Sequence, residues 1–185
     1  MFRLTFGEYD IELEDDSTFR VGSNDNASNY DFVYHDEEAT YYQSTNHAIK
    51  VFKDGKLYKT ALIAATAGAT GVHENSAEII HDDILICCAD KIFSLSLPDL
   101  KLNWMTQCDD ACCFQIFKND KGIFVHGEIC ASRIDTDGNI IWSAGFADIL
   151  VTPDGKESFI MHNDFIEIED WGHNKYKLNF DGESI

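Results

Sequence analysis

Six cysteines, seven histidines and 33 carboxylates are the side chains of this 185-residue sequence with chemistry to offer. The cysteines stand as two adjacent pairs, Cys87-Cys88 and Cys112-Cys113, with Cys108 and Cys130 alone. Zinc needs four convergent ligands, and neighbouring residues of a strand point to opposite faces, so each pair supplies one thiolate at most. No C-x-x-C spacing repairs this. Both pairs sit inside apolar runs, where cysteine packs as a small buried side chain in a reducing compartment. His35-Asp36-Glu37-Glu38 and His81-Asp82-Asp83 set an imidazole beside carboxylates, as base or metal chemistry would. Both fall between short apolar runs, where polar residues end strands by bonding their own backbone, so they read as turns. Asp135 to Asn139 opens like a calcium loop, but Trp142-Ser143-Ala144 stands where the closing glutamate belongs, which leaves a D-G hairpin turn. Neither a G-x-S-x-G elbow nor a glycine-rich phosphate loop occurs. The chain is expected to be non-catalytic, with no metal and no cofactor.

The elements that would position these residues are short strands in a repeat. Asp99 to Trp104 and Asp137 to Trp142 each run from a turn acid to a tryptophan, preceded by the strand patterns Ile92–Leu97 and Ile129–Ile134. Trp104 and Trp142 lie 38 residues apart, the length of one four-stranded unit. On this pattern residues 77–107, 112–146 and 147–180 are three units, the last opening with a strand at Asp148–Val151. A weaker first unit spans 30–66, with strands at Tyr30–Tyr34, Thr40–Gln43, Ala48–Phe52 and Leu57–Tyr58. Residues 1–29 read as a hairpin, Phe2–Phe6 with Tyr9–Leu13, and a polar loop. One domain, 1–185, holds them all.

A unit that closes with a strand, a D-G-like turn, a second strand and a tryptophan resembles the blade of a quinoprotein-like or WD40-like β-propeller. The resemblance covers about residues 30–180 and concerns architecture, because the Trp-Asp dipeptide of WD40 repeats is absent. It implies an all-β fold: a small β-propeller of about four antiparallel four-stranded blades, closed or open. The N-terminal hairpin would cover an edge or begin a fifth, incomplete blade. In such a fold the blade-to-blade loops and the turns between second and third strands share one face. That grouping gathers Glu74, Asp90, Asp109, Asp110, Glu128, Asp148 and Asp164, with Trp171 in a turn as an exposed contact.

Charge decides the kind of partner. With 14 Lys+Arg against 33 Asp+Glu the net charge is −19, so nucleic acid and anionic membranes are repelled and a basic protein is attracted. The expected function is a protein-binding module in the cytoplasm, in its most concrete form an immunity-type inhibitor of a basic toxin. Two other readings stand beside it. One is a small-ligand or enzymatic site at a channel mouth, built on His126 and His162 at equivalent strand ends; the other is a scaffold subunit. A solvated acidic surface accounts for the carboxylates equally well.

Overall fold

A computed structural model describes residues 1–185 as strands, turns and one short 3-10 segment, Glu38–Thr40, with no α-helix. No helix is long and apolar enough to cross a membrane. The first sheet holds β1 (Phe2–Phe6), β2 (Tyr9–Asp15), β3 (Phe32–His35), β4 (Thr45–Lys53) and β5 (Lys56–Ala65), in the order β1-β2-β4-β5-β3. The second runs β6 (Ala77–Ile80), β7 (Asp83–Cys88), β8 (Lys91–Ser96), β9 (Leu102–Gln107). The third runs β10 (Cys113–Asn119), β11 (Gly122–Gly127), β12 (Cys130–Ile134), β13 (Ile140–Gly145). The fourth has three strands, β14 (Phe159–Met161), β15 (Ile166–Glu169) and β16 (Lys175–Leu178). All pairings are antiparallel except β3 on β5, which is parallel.

Strand alternation explains why the central strands read as unbroken apolar runs. On β7, Ile84, Ile86 and Cys88 pack with Ile49, Val51 and Ile63 of the first sheet. Their neighbours Leu85 and Cys87 pack the other way, with Ile116 and Val125 of the third. On β11, Ile123 and Val125 face the second sheet while Phe124 packs with Ile166 and Ile168 of the fourth. Each such side chain contributes roughly 1.5–3 kcal/mol on burial. The three clusters join successive sheets, and none joins the fourth sheet to the first. The far side of the first sheet is covered by its own loop, with Phe19 and Ala39 on Leu62 and Ala64. The far side of the fourth carries Glu167, Glu169 and Lys175, paired with one another.

Each seam also has a clamp at its outer edge. Trp104 Nε1 donates to the Thr136 carbonyl at 3.0 Å, and Trp142 Nε1 to the Phe180 carbonyl at 3.0 Å. Glycine is required in both receiving turns: Gly138 (φ +82°) and Gly182 (φ +83°) lie so close to the indoles that a Cβ would sit 2.5 and 2.7 Å from them. At the first seam Tyr34 Oη plays this part, donating to the Leu100 carbonyl at 3.0 Å.

Three strand expectations need correction. The N-terminal hairpin does not begin a fifth blade; β2 pairs along its whole length with His47–Lys53 of β4, so the hairpin covers that edge and belongs to the first sheet. Thr40–Gln43 is no strand, because the Asp36 carboxylate accepts from the Ala39 N–H at 2.7 Å and holds the chain in a 3-10 turn. Asp148–Val151 is no strand either. Its Leu150 N–H goes to the Glu128 carbonyl and its Ile149 carbonyl receives the Trp171 N–H, so its backbone joins turns of two sheets. The fourth sheet therefore starts at β14, and its outer side has only the bridge Leu178–Ser184.

Candidate functional site

In an antiparallel meander alternate turns share an end. The turns Ala89–Asp90, Glu128–Ile129 and 170–174 lie at the same end as the crossings from sheet to sheet. Hydrogen bonds tie them into a belt. Gly68 N–H reaches the Ala111 carbonyl, Cys108 N–H the Asp90 carbonyl, Glu128 N–H the Cys112 carbonyl, and Leu150 N–H the Glu128 carbonyl. The belt satisfies backbone groups that strand ends would otherwise leave open, and it fixes the backbone of the turns that carry the acidic residues.

The eight expected contact residues divide on this frame. Glu74, Asp110 and Asp148 are exposed, Glu128 is half-buried, and Trp171 is 49% exposed, all at the belt end. Asp164 is exposed but lies in the β14–β15 turn, at the opposite end. Asp90 and Asp109 are buried. Asp109 accepts backbone N–H groups from Ala111, Cys112, Ile129 and Cys130 at 2.7–3.1 Å, so it works as an internal staple between two loops. Gly127 makes room for it, since a Cβ there would lie 2.2 Å from the carboxylate.

Asp90 belongs to a buried ionic group that the sequence did not reveal. Lys91 Nζ lies 2.5 Å from Asp90 Oδ1 and 3.2 Å from Asp36 Oδ2, with all three side chains largely out of solvent. Burial opposes charge on Asp36, but the Thr66 and Ala39 N–H groups and the Lys91 ammonium outweigh it and hold that carboxyl below its usual range. For Asp90 burial wins, and its carboxyl is pushed up in spite of Lys91. Asp36 had read only as part of a turn; nothing in the spacing links it to a residue 55 positions on (91 minus 36).

His126 and His162 do not meet. His126, next to last in β11, is buried, with Nε2 at 2.8 Å from the Leu150 carbonyl and Nδ1 at 2.9 Å from Gln115. Burial drives its pKa down to about 4, against the pull of the Leu150 carbonyl. Ser158 Oγ, at the start of β14, is 3.3 Å from it. His162 follows the far end of that strand, roughly 13 Å from Ser158 at strand rise, and pairs with Glu167. The cysteines are free thiols, five of the six buried, and burial pushes Cys87, Cys88 and Cys113 well above their ordinary range.

No family model matches the chain, and no curated protein matches it. Among solved structures it is similar to the AfRom2 CNH domain, with a TM-score of 0.50 at 12% identity over 77% of this chain and 47% of that one. It is also similar to the computationally designed Ika8 protein (TM-score 0.44, 10% identity, 76% and 44% covered). A protein of unknown function from Bacteroides caccae gives 0.40 at 18% identity, with 83% and 58% covered. The chain spans about half the length of the CNH domain it matches. That domain has a propeller-type fold, and the four sheets are compatible with the same sheet-rich, propeller-like architecture.

Proposed function

We propose that this chain is a non-catalytic protein-binding module whose belt end docks on a basic protein. The supporting observation is that Asp110, Glu128 and Asp148 lie in turns that hydrogen bonds join into one belt, in a chain of net charge −19. Carboxylates on a rigid frame raise the encounter rate with a cationic partner without losing much freedom on docking. Trp171, half-exposed at the same end, supplies a desolvated anchor of the kind that dominates binding energy. The four sheets are read as four blades in quinoprotein-like or WD40-like order. The concrete form of the activity is an immunity-type blockade of a basic toxin in the cytoplasm. Nucleic acid and anionic membranes share the chain's sign of charge and are not its partners.

The test is capture from a lysate of the native cell at low salt, comparing the native chain with one carrying D110K, E128K and D148K together. The expected result is a basic protein that the native chain retains, that salt releases, and that the variant loses. Failure to retain any basic protein, or equal retention by both chains, overturns the reading.

A further inference from the structure

We infer that the outer edge of the third sheet, strand β13, accepts an extended segment of the partner as an added strand, apolar at its centre and basic at both ends. The inference rests on the reading of this chain as the binder of a basic protein and names the segment it grips. β13 is last in its sheet, with β12 on one side and no strand on the other. No backbone bond from a turn or loop reaches residues 140–145, so the outer edge keeps its N–H and C=O groups open. Ile140 and Ile141 stand 45% and 52% exposed along that edge. A bulge, in which Trp142 faces Arg133 and Ile140 already faces Ile134, leaves Ile141 unpaired.

Edge strands are commonly guarded by a basic residue, and other edges of this fold have one: Arg3 in β1, Lys101 before β9, Lys175 and Lys177 in β16. β13 has none. Residues 138–147 carry no charge, in a chain where one residue in four is charged. Carboxylates return at both ends, with Asp137 in the turn before the strand and Asp148 and Asp110 exposed at the belt end. This distribution selects the occupant. A second copy of this chain, paired antiparallel with Ile140 against Gly145, would bring the Asp137 end of each copy onto the Asp148 end of the other. Like charges would then meet twice. A strand with Lys or Arg at both ends meets opposite charge in both places, whichever way it runs. Strand addition takes affinity from main-chain bonds and specificity from pockets for alternate side chains. Such a pocket lies beside this edge, a groove of about 330 Å³ lined by Gln107, Asp110, Cys130, Ile140 and Ser143. It has room for small aliphatic side chains, which every second residue of the added strand would supply.

The experiment titrates the peptide acetyl-Lys-Lys-Val-Thr-Val-Thr-Lys-Lys-amide into the full chain and follows backbone amides by NMR shift and hydrogen exchange. Two controls accompany it: the same peptide with Glu for every Lys, and the Lys peptide with its four central amides N-methylated, which keeps the charge and removes strand pairing. The expected result is saturable shifts between Trp142 and Gly145 with slowed exchange of the outward amides there, and at least about tenfold weaker binding of each control. I141K, at an exposed side chain, should weaken the Lys peptide several-fold and leave the thermal midpoint in place, since a cation then guards the edge. Equal binding of the N-methylated peptide, shifts confined to Asp110 and Asp148, or no saturable shift overturns the edge and leaves the docking end to act through another surface. A native chain that sediments as a dimer with Trp142 to Gly145 already protected also overturns it, because the edge then belongs to a second copy. Saturation along β13, combined with no basic protein captured from lysate, leaves the edge standing and removes the proposed partner.

Discussion

Asp109 shows how a residue can look like surface charge and serve as structure. Its four N–H partners come from two loops, and Asp109→Ala leaves them without an acceptor in a place water hardly reaches. The expected loss is about 3 kcal/mol or more, read as a lower urea midpoint, with Asp109→Asn costing less because one oxygen remains. His126 gives the pH dependence at this scale. Its folded pKa of about 4 lies below the unfolded value near 6.5, so between those values the unfolded chain binds the extra proton. Stability should therefore fall as pH drops from about 6.5 towards 4, and denaturant midpoints across that window should show it. His126→Gln, which keeps a polar group beside Leu150, should flatten the dependence; an unchanged slope would remove His126 as its source. Below about pH 4 a second loss is expected as Asp36, whose folded pKa is depressed, takes up its proton.

Sheets here are joined by cores and fastened by clamps, and the two can be separated by mutation. Gly138→Ala should cost about 2–4 kcal/mol, combining the left-handed backbone with overlap on the Trp104 ring. Gly155→Ala meets the same backbone penalty at φ +73° with open space around it, so it should cost only about 1–2 kcal/mol. Equal losses in thermal or urea unfolding would mean that the clamp adds nothing. The second and third sheets were legible in the sequence because each has two apolar faces and a D-G or D-L turn ahead of its tryptophan. The Asp137-to-Trp142 repeat was visible, but the target of the tryptophan was not, since Thr136 lies 32 residues from Trp104 and only folding brings them together. The first sheet was misread at its margins. Its outer strand β3 is parallel to β5, a pairing that requires a long crossover and leaves no hairpin signature. The fourth sheet was misread at Asp148–Val151, where strand-like residues spend their backbone bonds on neighbouring turns. Of the candidate site, Asp110 and Asp148 were legible as polar turn residues and Trp171 as an exposed aromatic in a turn. Burial of Asp90 and Asp109 was not, because a turn aspartate that faces water and one that staples two loops have the same local sequence.

At the scale of the whole molecule, net charge −19 has an energetic cost in self-repulsion that the fold offsets locally. Lys50 pairs with Glu14, Lys53 with Glu8, Lys118 with Glu78, and Lys91 with two aspartates, so much of the positive charge is already engaged. The surplus negative charge is free to act at longer range, over roughly 8 Å at physiological ionic strength. Docking through it should be fast and salt-sensitive, whereas docking through Trp171 alone would be neither. The most direct measurement is the affinity of the native chain for its captured basic partner between about 50 and 300 mM salt, repeated with the D110K, E128K and D148K variant. A fall of at least about tenfold across that range, and a markedly shallower dependence with weaker binding in the variant, is the predicted result. Affinity indifferent both to salt and to the three reversed charges would contradict it.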